Sequence, residues 1–187
     1  QFPSGVYSLV VVDASGCSDI WNIQISTPDS LELDLTLSDA LCYNENTGTA
    51  SIVISGGVSP YSTNWGGTDP NLLLAGNYNV EVTDANGCST GIINFTVNEP
   101  SQLVIDSVIT TLVSCNSGND GTAMIYGSGG VLPYTYGWSN GQTTQKALSL
   151  SNGTYTAYLY DANNCQVTFN NVQISNAPLL NISIQQT

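Results

Sequence analysis

The sequence predicts an all-β protein built from tandem β-sandwich repeats. One observation is a recurring stretch, an alternating strand followed by a turn and a cysteine, found at residues 5–17, 76–88 and 153–165. A second is the spacing of its cysteines, since Cys88 follows Cys17 by 71 residues and Cys165 follows Cys88 by 77. A third is that the chain shows short runs of period two separated by turn residues, with no helical periodicity. We therefore expect repeats of about 73 residues arranged as a rod.

The composition indicates a globular chain of unusual charge. Of 187 residues, 41% are hydrophobic but only 8% are charged, with 14 acidic residues against one basic residue, Lys146. The net charge of −13 repels phosphate backbones and anionic lipid, so we expect no nucleic-acid partner. No apolar run approaches the roughly 20 residues of a spanning helix, so we also expect no membrane insertion. The acidic balance favours solubility, with calcium ligation as the alternative.

The repeat predicts four segments. Residues 1–28 hold the C-terminal hairpin of a truncated repeat, whose missing strands we expect before Gln1 or in a neighbouring chain, because two strands alone are marginally stable. Residues 29–100 and 101–178 are full repeats, and residues 179–187 begin the first strand of a following one. Since the chain opens in mid-pattern without Met, we expect it to be a mature fragment of something longer.

Both full repeats show the same order of elements. Alternation and turn residues predict a first strand, a cysteine-containing loop, a second strand ended by Gly-Gly, a third strand opened by Pro-Tyr, a short strand and a final hairpin. In the first repeat these elements lie at residues 31–37, 42–48, 50–57, 60–65, 72–74 and 78–97. The second repeat has four extra residues between Trp138 and Gly153, which we expect in a loop.

Two aromatic signals indicate that each sandwich is immunoglobulin-like. Tyr78 and Tyr155 follow a Leu and a Gly at one spacing, which resembles the tyrosine corner, where the phenol anchors the preceding loop. Trp65 and Trp138 lie on the third strand, where such domains often bury a Trp. We expect core packing for both, in preference to ligand stacking.

The ordered motifs of the first repeat resemble the SprB repeat. They comprise Cys42, Gly56-Gly57, Pro60-Tyr61, Trp65 and the stretch from Gly76 to Cys88. The second repeat matches more closely through Pro133-Tyr134-Thr-Tyr136-Gly-Trp138-Ser-Asn-Gly141 and departs at Asn164, where the family pattern has Gly. The resemblance covers essentially the whole chain, and the modules are also similar to PKD domains.

The resemblance implies a setting and no active site. SprB repeats occur in large surface proteins of Bacteroidota, including the gliding-motility adhesin. The resemblance therefore implies export by the type IX system, an extracellular or cell-surface location, and partners that are neighbouring repeats of one long chain or filament subunits. We expect a non-catalytic stalk segment of a secreted adhesin, with no cofactor. Two alternatives are a glycan- or surface-binding repeat, with Tyr158 and Tyr160 as its outward aromatic patch, and an accessory module of a secreted enzyme.

Five cysteines in an acidic chain of this kind suggest disulfides. The simplest pairing lies within each repeat, Cys42 with Cys88 and Cys115 with Cys165, which leaves Cys17 with a partner outside the fragment. Strand parity opposes it, because the loop after the first strand and the last hairpin turn lie at opposite ends of a sandwich, about 20 Å apart. The alternatives are a disulfide between neighbouring repeats, joining Cys42 to Cys165, and free thiols.

Little catalytic or metal chemistry is available. The chain has no His, which excludes His-based triads, Cys–His dyads and histidine metal sites. Asp13, Asp84 and Asp161 recur in the turns, where we expect their carboxylates to accept bonds from the turn backbone. The alternative is calcium at the module junctions, with Asp84 joined by Asp29 or Glu32.

Two serines are candidates for modification. Asp29-Ser30-Leu31 and Asp106-Ser107-Val108 resemble the Asp-Ser/Thr-aliphatic sequon at which Bacteroidota attach O-glycans. We expect these tripeptides to occupy equivalent positions at the junctions, with linker polarity as the alternative explanation. Added hexose mass at Ser30 and Ser107 would support glycosylation.

Overall fold

The computed structural model describes residues 2–114 and 118–178, and every regular element in that part of the chain is a β-strand. The prediction of an all-β fold is confirmed. The predicted strand at 179–187 and Cys115 lie outside the described residues. The strands are β1 (Gly5–Val12), β2 (Ser18–Ile25), β3 (Glu32–Ser38), β4 (Thr49–Ser55), β5 (Ser62–Asn64), β6 (Gly76–Thr83), β7 (Ile93–Val97), β8 (Val104–Thr111), β9 (Gly121–Ser128), β10 (Thr135–Trp138), β11 (Lys146–Leu150), β12 (Gly153–Tyr160) and β13 (Gln166–Ile174).

Residues 101–178 form a two-sheet sandwich. One sheet has the strand order β11-β9-β8 and the other has the order β10-β12-β13, with antiparallel pairing throughout. Alternate side chains of both sheets meet in one core, as expected for strands with one face buried. The fully or nearly fully buried members are Leu103, Ile105, Val113, Ala123, Ile125, Trp138, Ala147, Leu150, Ala157, Leu159, Val172 and Ile174.

The strands of residues 29–100 follow the same order, but one of their two sheets has two strands instead of three. Strands β3 and β4 pair in one sheet, and β5, β6 and β7 form the other. Val80 and Val82 of β6 are fully buried, and Phe95 of β7 packs against the rings of Tyr78 and Trp65 at centroid distances of 5.7 and 6.1 Å. The alternation predicted for this hairpin therefore separates its inner face from its outer one.

The chain divides into two compact units that do not follow the repeat boundaries. One contains residues 1–36, 51–68 and 78–95, and the other contains residues 37–50, 69–77 and 96–187. The first unit includes the β1–β2 hairpin and the Asp84 turn. The second includes the 101–178 sandwich together with the cysteine loop, which we define as residues 39–48.

The β1–β2 hairpin is a separate two-stranded sheet. Its register pairs Tyr7 with Ile23 and Leu9 with Trp21, which places these four apolar side chains on one face. Trp21 is 65% exposed and Leu9 54%, so this face lacks the second sheet that covers the corresponding face of β12 and β13.

The short strand predicted before the final hairpin is present in the second repeat as β11, which pairs with β9. The segment between Trp138 and Gly153, where the four extra residues lie, holds both a loop and this strand. At the matching place the first repeat has a single bridge, in which Gly48 and Leu73 exchange backbone hydrogen bonds of 2.9 Å. An edge strand can lengthen in this way because its outer side has no partner that would limit it.

The aromatic expectations hold in the second repeat. The Tyr155 hydroxyl donates to the Ser151 carbonyl oxygen at 3.1 Å, which is the bond expected of a tyrosine corner. Trp138 is 4% exposed and donates from Nε1 to the Thr144 carbonyl oxygen at 2.9 Å. Tyr7 makes the same type of bond to the Pro3 carbonyl oxygen at 2.7 Å, so the corner recurs in the truncated repeat.

Candidate functional site

The turn between β12 and β13 is built around the carboxylate of Asp161. Its Oδ1 accepts the backbone N–H groups of Asn163 and Cys165 at 2.8 and 2.9 Å, and its Oδ2 accepts that of Val131 at 3.0 Å. The side chain is buried, so these three donors replace the water that a free carboxylate would bind. Asn164 has φ 64°, a conformation that Asn tolerates where the family pattern has Gly. The turn therefore holds Cys165 at a fixed place.

The Asp84 turn repeats this arrangement. Oδ1 of Asp84 accepts the N–H groups of Asn86 and Cys88, and Oδ2 accepts that of Val58 at 3.0 Å. The Cys88 N–H is the main reason why the pKa of Asp84 lies below its usual value, with further contributions from Val58 and Asn86. Hydrogen bonds from Ser15 and Cys17 lower the pKa of Asp13 in the hairpin turn in the same way. The structure therefore agrees with the turn role proposed for these aspartates.

The cysteine loop is tied to the end of its own repeat. The Ala40 N–H donates to the Asn98 carbonyl oxygen at 2.9 Å, and the Asn98 N–H donates to Asp39 Oδ1 at 2.8 Å. Within the loop, the Leu41 N–H donates to Thr47 Oγ1 at 2.7 Å. These bonds shape the backbone on both sides of Cys42 and leave the Leu41 carbonyl oxygen available to another segment.

Cys42 and Cys165 form a disulfide with a Cα–Cα distance of 5.7 Å. Beside it, Asn163 Nδ2 donates to the Leu41 carbonyl oxygen at 2.7 Å. One covalent bond and one hydrogen bond thus join the cysteine loop to the Asp161 turn, across 123 positions of sequence. We call this pair of bonds the junction. A cavity of about 190 Å³ lies next to it, lined in part by Tyr43, Glu45 and Leu103.

The predicted pairing of Cys42 with Cys88 and of Cys115 with Cys165 is wrong in this structure. Cys42 bonds Cys165, and Cys88 is a free, exposed thiol. The physical reason is strand parity, because the loop after the first strand of a sandwich and its last hairpin turn lie at opposite ends. The alternative pairing between neighbouring repeats is the one that the structure contains. Cys17 is also free and exposed.

The sequence reasoning missed Asn163 and the Leu41 carbonyl group. A signal for the first was present, because Asn occupies the position two residues before the turn cysteine at both Asn86 and Asn163, whereas Ser15 occupies it in the truncated repeat. No side-chain pattern could indicate the second, because a backbone carbonyl group is common to every residue.

Asp29 and Asp84 line one cavity, but among the described residues the calcium candidates do not form a group of metal ligands. Asp29 and Glu32 are exposed, and both carboxylate oxygens of Asp84 already accept backbone hydrogen bonds. Across residues 2–114 and 118–178, no group of three or more His, Cys, Asp or Glu side chains is placed to hold a metal ion. The aspartate side chains therefore serve the turns in the described structure.

Tyr158 and Tyr160 lie on the outer face of the β10-β12-β13 sheet. Their neighbours Ala157 and Leu159 are fully buried, whereas the two tyrosines are half-buried. Gly137 pairs with Tyr158, and a Cβ atom at Gly137 would lie within 3.6 Å of atoms of both tyrosine side chains. The two tyrosine side chains thus lie next to each other over Gly137 on this face.

Ser30 and Ser107 do not occupy equivalent positions, contrary to expectation. Ser30 precedes strand β3, whereas Ser107 lies inside strand β8, next to a register shift. The Gly57 N–H donates to the Asp29 carbonyl oxygen and the Gly130 N–H donates to that of Ser101, so Gln102 is the residue that corresponds to Ser30. Both serines are exposed, and their glycosylation stays a prediction.

A comparison with protein families gives one match. The SprB repeat model matches residues 35–67 and 107–143. Two segments of the chain, one in each full repeat, are therefore similar to the SprB repeat. Each matched segment runs from the first strand through the loop and the second strand to the residues after Trp65 or Trp138. The resemblance is therefore confirmed for these segments and not for the whole chain. SprB-type repeats are repeats of cell-surface proteins.

A comparison with solved structures gives several matches. One of them is the C-terminal 282-residue fragment of intimin, solved in complex with the intimin-binding domain of the translocated intimin receptor. The identity is 15% and the TM-score is 0.38, and the similarity covers 80% of this chain and 64% of the intimin fragment. A comparison with curated proteins gives no significant match. Among the described residues, no helix is long and apolar enough to cross a membrane.

Proposed function

We propose that this chain is a stalk segment of a secreted bacterial surface adhesin, in which SprB-type repeats supply reach and stiffness without catalysis. The observation that carries the proposal is the Cys42–Cys165 disulfide, because it joins the repeat at 29–100 to the repeat at 101–178. Each end of that bond is held by its own repeat, through the Asp39–Asn98 bonds on one side and the Asp161 turn on the other. Bending between the repeats would therefore have to distort either the Asp39–Asn98 hydrogen bonds or the Asp161 turn.

The cellular setting follows from the same features. Disulfides persist in oxidising environments, which supports an extracellular or cell-surface location. We propose export by the type IX system, a source among the Bacteroidota and a role in an adhesin of the gliding-motility type. The partners in this proposal are neighbouring repeats of the same long chain or subunits of the same filament.

Nitrogen-15 relaxation tests whether the junction stiffens the chain. In the oxidised protein, we expect amides of the two repeats to share one rotational correlation time. The Cys42→Ser variant should show two shorter correlation times, because the covalent part of the junction is gone. Cys17→Ser is the matched control, since it removes a free thiol and should leave the values unchanged. Two short correlation times in the oxidised wild-type protein would refute the stiffening role.

A second candidate function, glycan or surface binding, is favoured by the outer-face pair Tyr158 and Tyr160. Half-buried tyrosines present an apolar ring and a polar tip, a combination that is common at binding surfaces. A glycan array probed with the wild-type protein should give a signal that the double variant Tyr158→Ser, Tyr160→Ser loses. Tyr126→Ser, which changes an exposed tyrosine on the other sheet, is the control. If the array gives no signal, glycan binding is refuted and the stalk function is the one that stands.

A further inference from the structure

We propose that the Asp84 turn carries an open docking socket, at which Cys88 forms a disulfide with the cysteine loop of another repeat module. This inference rests on the proposed stalk function and deepens it by naming the partner. It is drawn from the occupied counterpart in the same chain, where the Asp161 turn already holds such a loop. We define the socket by the segment 28–31, Gly57, Asn86 and Cys88.

The empty and occupied turns have the same hydrogen-bonded frame. Asp84 N–H donates to the Cys88 carbonyl oxygen at 2.9 Å, and Asp161 N–H donates to that of Cys165 at 3.1 Å. The loop that braces each turn is also the same, because the Val58 N–H binds Asp84 as the Val131 N–H binds Asp161, each at 3.0 Å. Equivalent backbone hydrogen bonds thus position Cys88 and Cys165, so Cys88 is placed to form a disulfide as Cys165 does.

The groups that make the junction have direct counterparts in the socket. Asn86 stands where Asn163 donates to the Leu41 carbonyl oxygen, and Cys88 stands where Cys165 is bonded. Both Asn86 and Cys88 are exposed. The side-chain amide and the thiol are therefore both accessible to an incoming loop.

A cavity lies beside Cys88, at the position where the cysteine loop contacts Cys165 in the junction. It measures about 300 Å³, and its lining includes Ser30, Leu31 and Cys88. The corresponding residues Gln102, Leu103 and Cys165 line the smaller cavity of about 190 Å³ at the junction. Cys42, Tyr43 and Glu45 of the cysteine loop also line it. The larger cavity is lined by the segment 28–31, Gly57 and the Asp84 turn, and no residue of a cysteine loop contributes to its lining.

The bond would form by two thiol–disulfide exchanges. The loop cysteine thiolate first attacks an oxidising protein disulfide, the class of oxidant that the reaction requires. The S–S bond of the oxidant breaks, a mixed disulfide forms, and one oxidant sulfur leaves as a thiolate that takes up a proton. The Cys88 thiolate then attacks the loop cysteine sulfur, the new S–S bond forms, and the oxidant leaves as a thiolate that takes up a proton. Overall, two thiols lose two electrons and two protons to the oxidant disulfide.

The test uses the full oxidised chain and a synthetic peptide of residues 38–48 whose Cys42 is a 2-pyridyl disulfide. Attack by a thiolate transfers the peptide and releases 2-thiopyridone, and peptide mapping then reports the rate at each free cysteine. Cys17 is the internal control, because it lies on the two-stranded hairpin with Ser15 where the socket has Asn86. The 2-pyridyl disulfide of glutathione measures the intrinsic reactivity of both thiols.

We measure the ratio of the reaction rate at Cys88 to the reaction rate at Cys17. We expect this ratio to be at least fivefold higher with the loop peptide than with the glutathione reagent. Asn86→Ser, which introduces the residue of the Cys17 turn, should bring the peptide ratio close to the glutathione ratio. Equal ratios for the two reagents in the wild-type protein would overturn the proposal, as would a ratio that Asn86→Ser does not change. Either failure would leave the correlation-time experiment on the existing junction unaffected, so the two proposals can fail separately.

Discussion

At the residue scale, the turns of this protein depend on single aspartates and single glycines. The aspartate that opens each Asp-Ala turn accepts backbone N–H groups with its carboxylate, and glycines permit close backbone approaches nearby. These are short-range effects, so the sequence could predict the turn role of the aspartates from residue type alone. Two predictions belong to this scale.

The first prediction concerns pH. The folded-state pKa of Asp84 lies below its unfolded value, so the ionised carboxylate stabilises the fold above about pH 4, and this contribution is lost as the pH falls further. Asp13 and Asp120, whose pKa values are also lowered, act in the same direction. We expect the melting temperature to fall steeply below about pH 4.

The Asp84→Asn variant separates this carboxylate from the others. It should melt several degrees lower at pH 7 and show a weaker loss between pH 4 and pH 2, as measured by circular dichroism. Asp34→Asn, at an exposed strand position, serves as the control and should behave as the wild-type protein does. A variant with the wild-type pH profile would contradict the assignment.

The second prediction compares two glycines at positive φ. A Cβ atom at Gly129, with φ 75°, would lie 1.8 Å from the Gln102 carbonyl oxygen, whereas one at Gly141, with φ 87°, would meet nothing within 4 Å. Gly141→Ala should cost about 1–2 kcal/mol of unfolding free energy, the price of the left-handed conformation. Gly129→Ala should cost roughly 2–5 kcal/mol, because overpacking is added. Urea titration of both variants measures the difference, and equal costs would argue against the close approach.

At the element scale, the protein repeats one hairpin in three environments. Strands β12 and β13 are covered by a second sheet, β6 and β7 have buried side chains of their own, and β1 and β2 expose Leu9 and Trp21. A two-stranded sheet without a covered face is marginally stable in water. The same sequence pattern therefore has different stabilities at its three positions.

Hydrogen exchange tests this difference. We expect the backbone N–H groups of β1 and β2 to exchange at least a hundredfold faster than those of β12 and β13, because local opening of the hairpin exposes no packed core. Mass spectrometry of peptic fragments at pH 7 gives both rates in one experiment. Comparable protection of the two hairpins would mean that the exposed face of β1 and β2 is covered in solution.

The sequence predicted the strands better than it predicted their partners. Alternation located the hairpins of Tyr7, Tyr78 and Tyr155, because burial of one face imposes period two. It also predicted the short strand that is β11 in the second repeat, but the pairing of this edge strand with β9 depends on tertiary contact. The equivalence of Ser30 and Ser107 was wrong because a tripeptide match carries no information on strand register.

The cysteine connectivity could not be predicted from the sequence, for a related reason. Residue spacing leaves several pairings open, and the choice depends on which ends of which modules meet. Strand parity argued against pairing within a repeat but could not select Cys165 as the partner of Cys42. Nor could it show that Asn163 supports that bond, since its acceptor is a backbone carbonyl group.

At the scale of the whole molecule, the disulfide closes a large loop. Cys42 and Cys165 are 123 positions apart, and on the chain-entropy estimate a closed loop of that length contributes about 4–5 kcal/mol. Reduction with a phosphine should lower the free energy of unfolding by this amount, as measured by denaturant titration. The Cys42→Ser variant should be insensitive to the reductant, and an unchanged wild-type midpoint would contradict the prediction.

Metal removal should have no such effect. The carboxylate oxygens of Asp84 are occupied by backbone donors, and the described residues offer no cluster of metal ligands. We therefore expect the same melting temperature with a calcium chelator as with millimolar calcium, as measured by intrinsic fluorescence. A difference of several degrees between the two melting temperatures would show that calcium binds at the module ends, through residues such as Asp29 and Glu32.

The Cys42–Cys165 bond has a mechanical consequence when the chain is pulled from its two ends. Tension would pass from Cys42 directly to Cys165, so the polypeptide between them would carry no load even if its strands separated. About 123 × 3.5 Å, or roughly 430 Å of contour length, would stay stored until the sulfur bond broke. A surface fibre made of such segments would stretch little under shear, and a reducing environment would release that length.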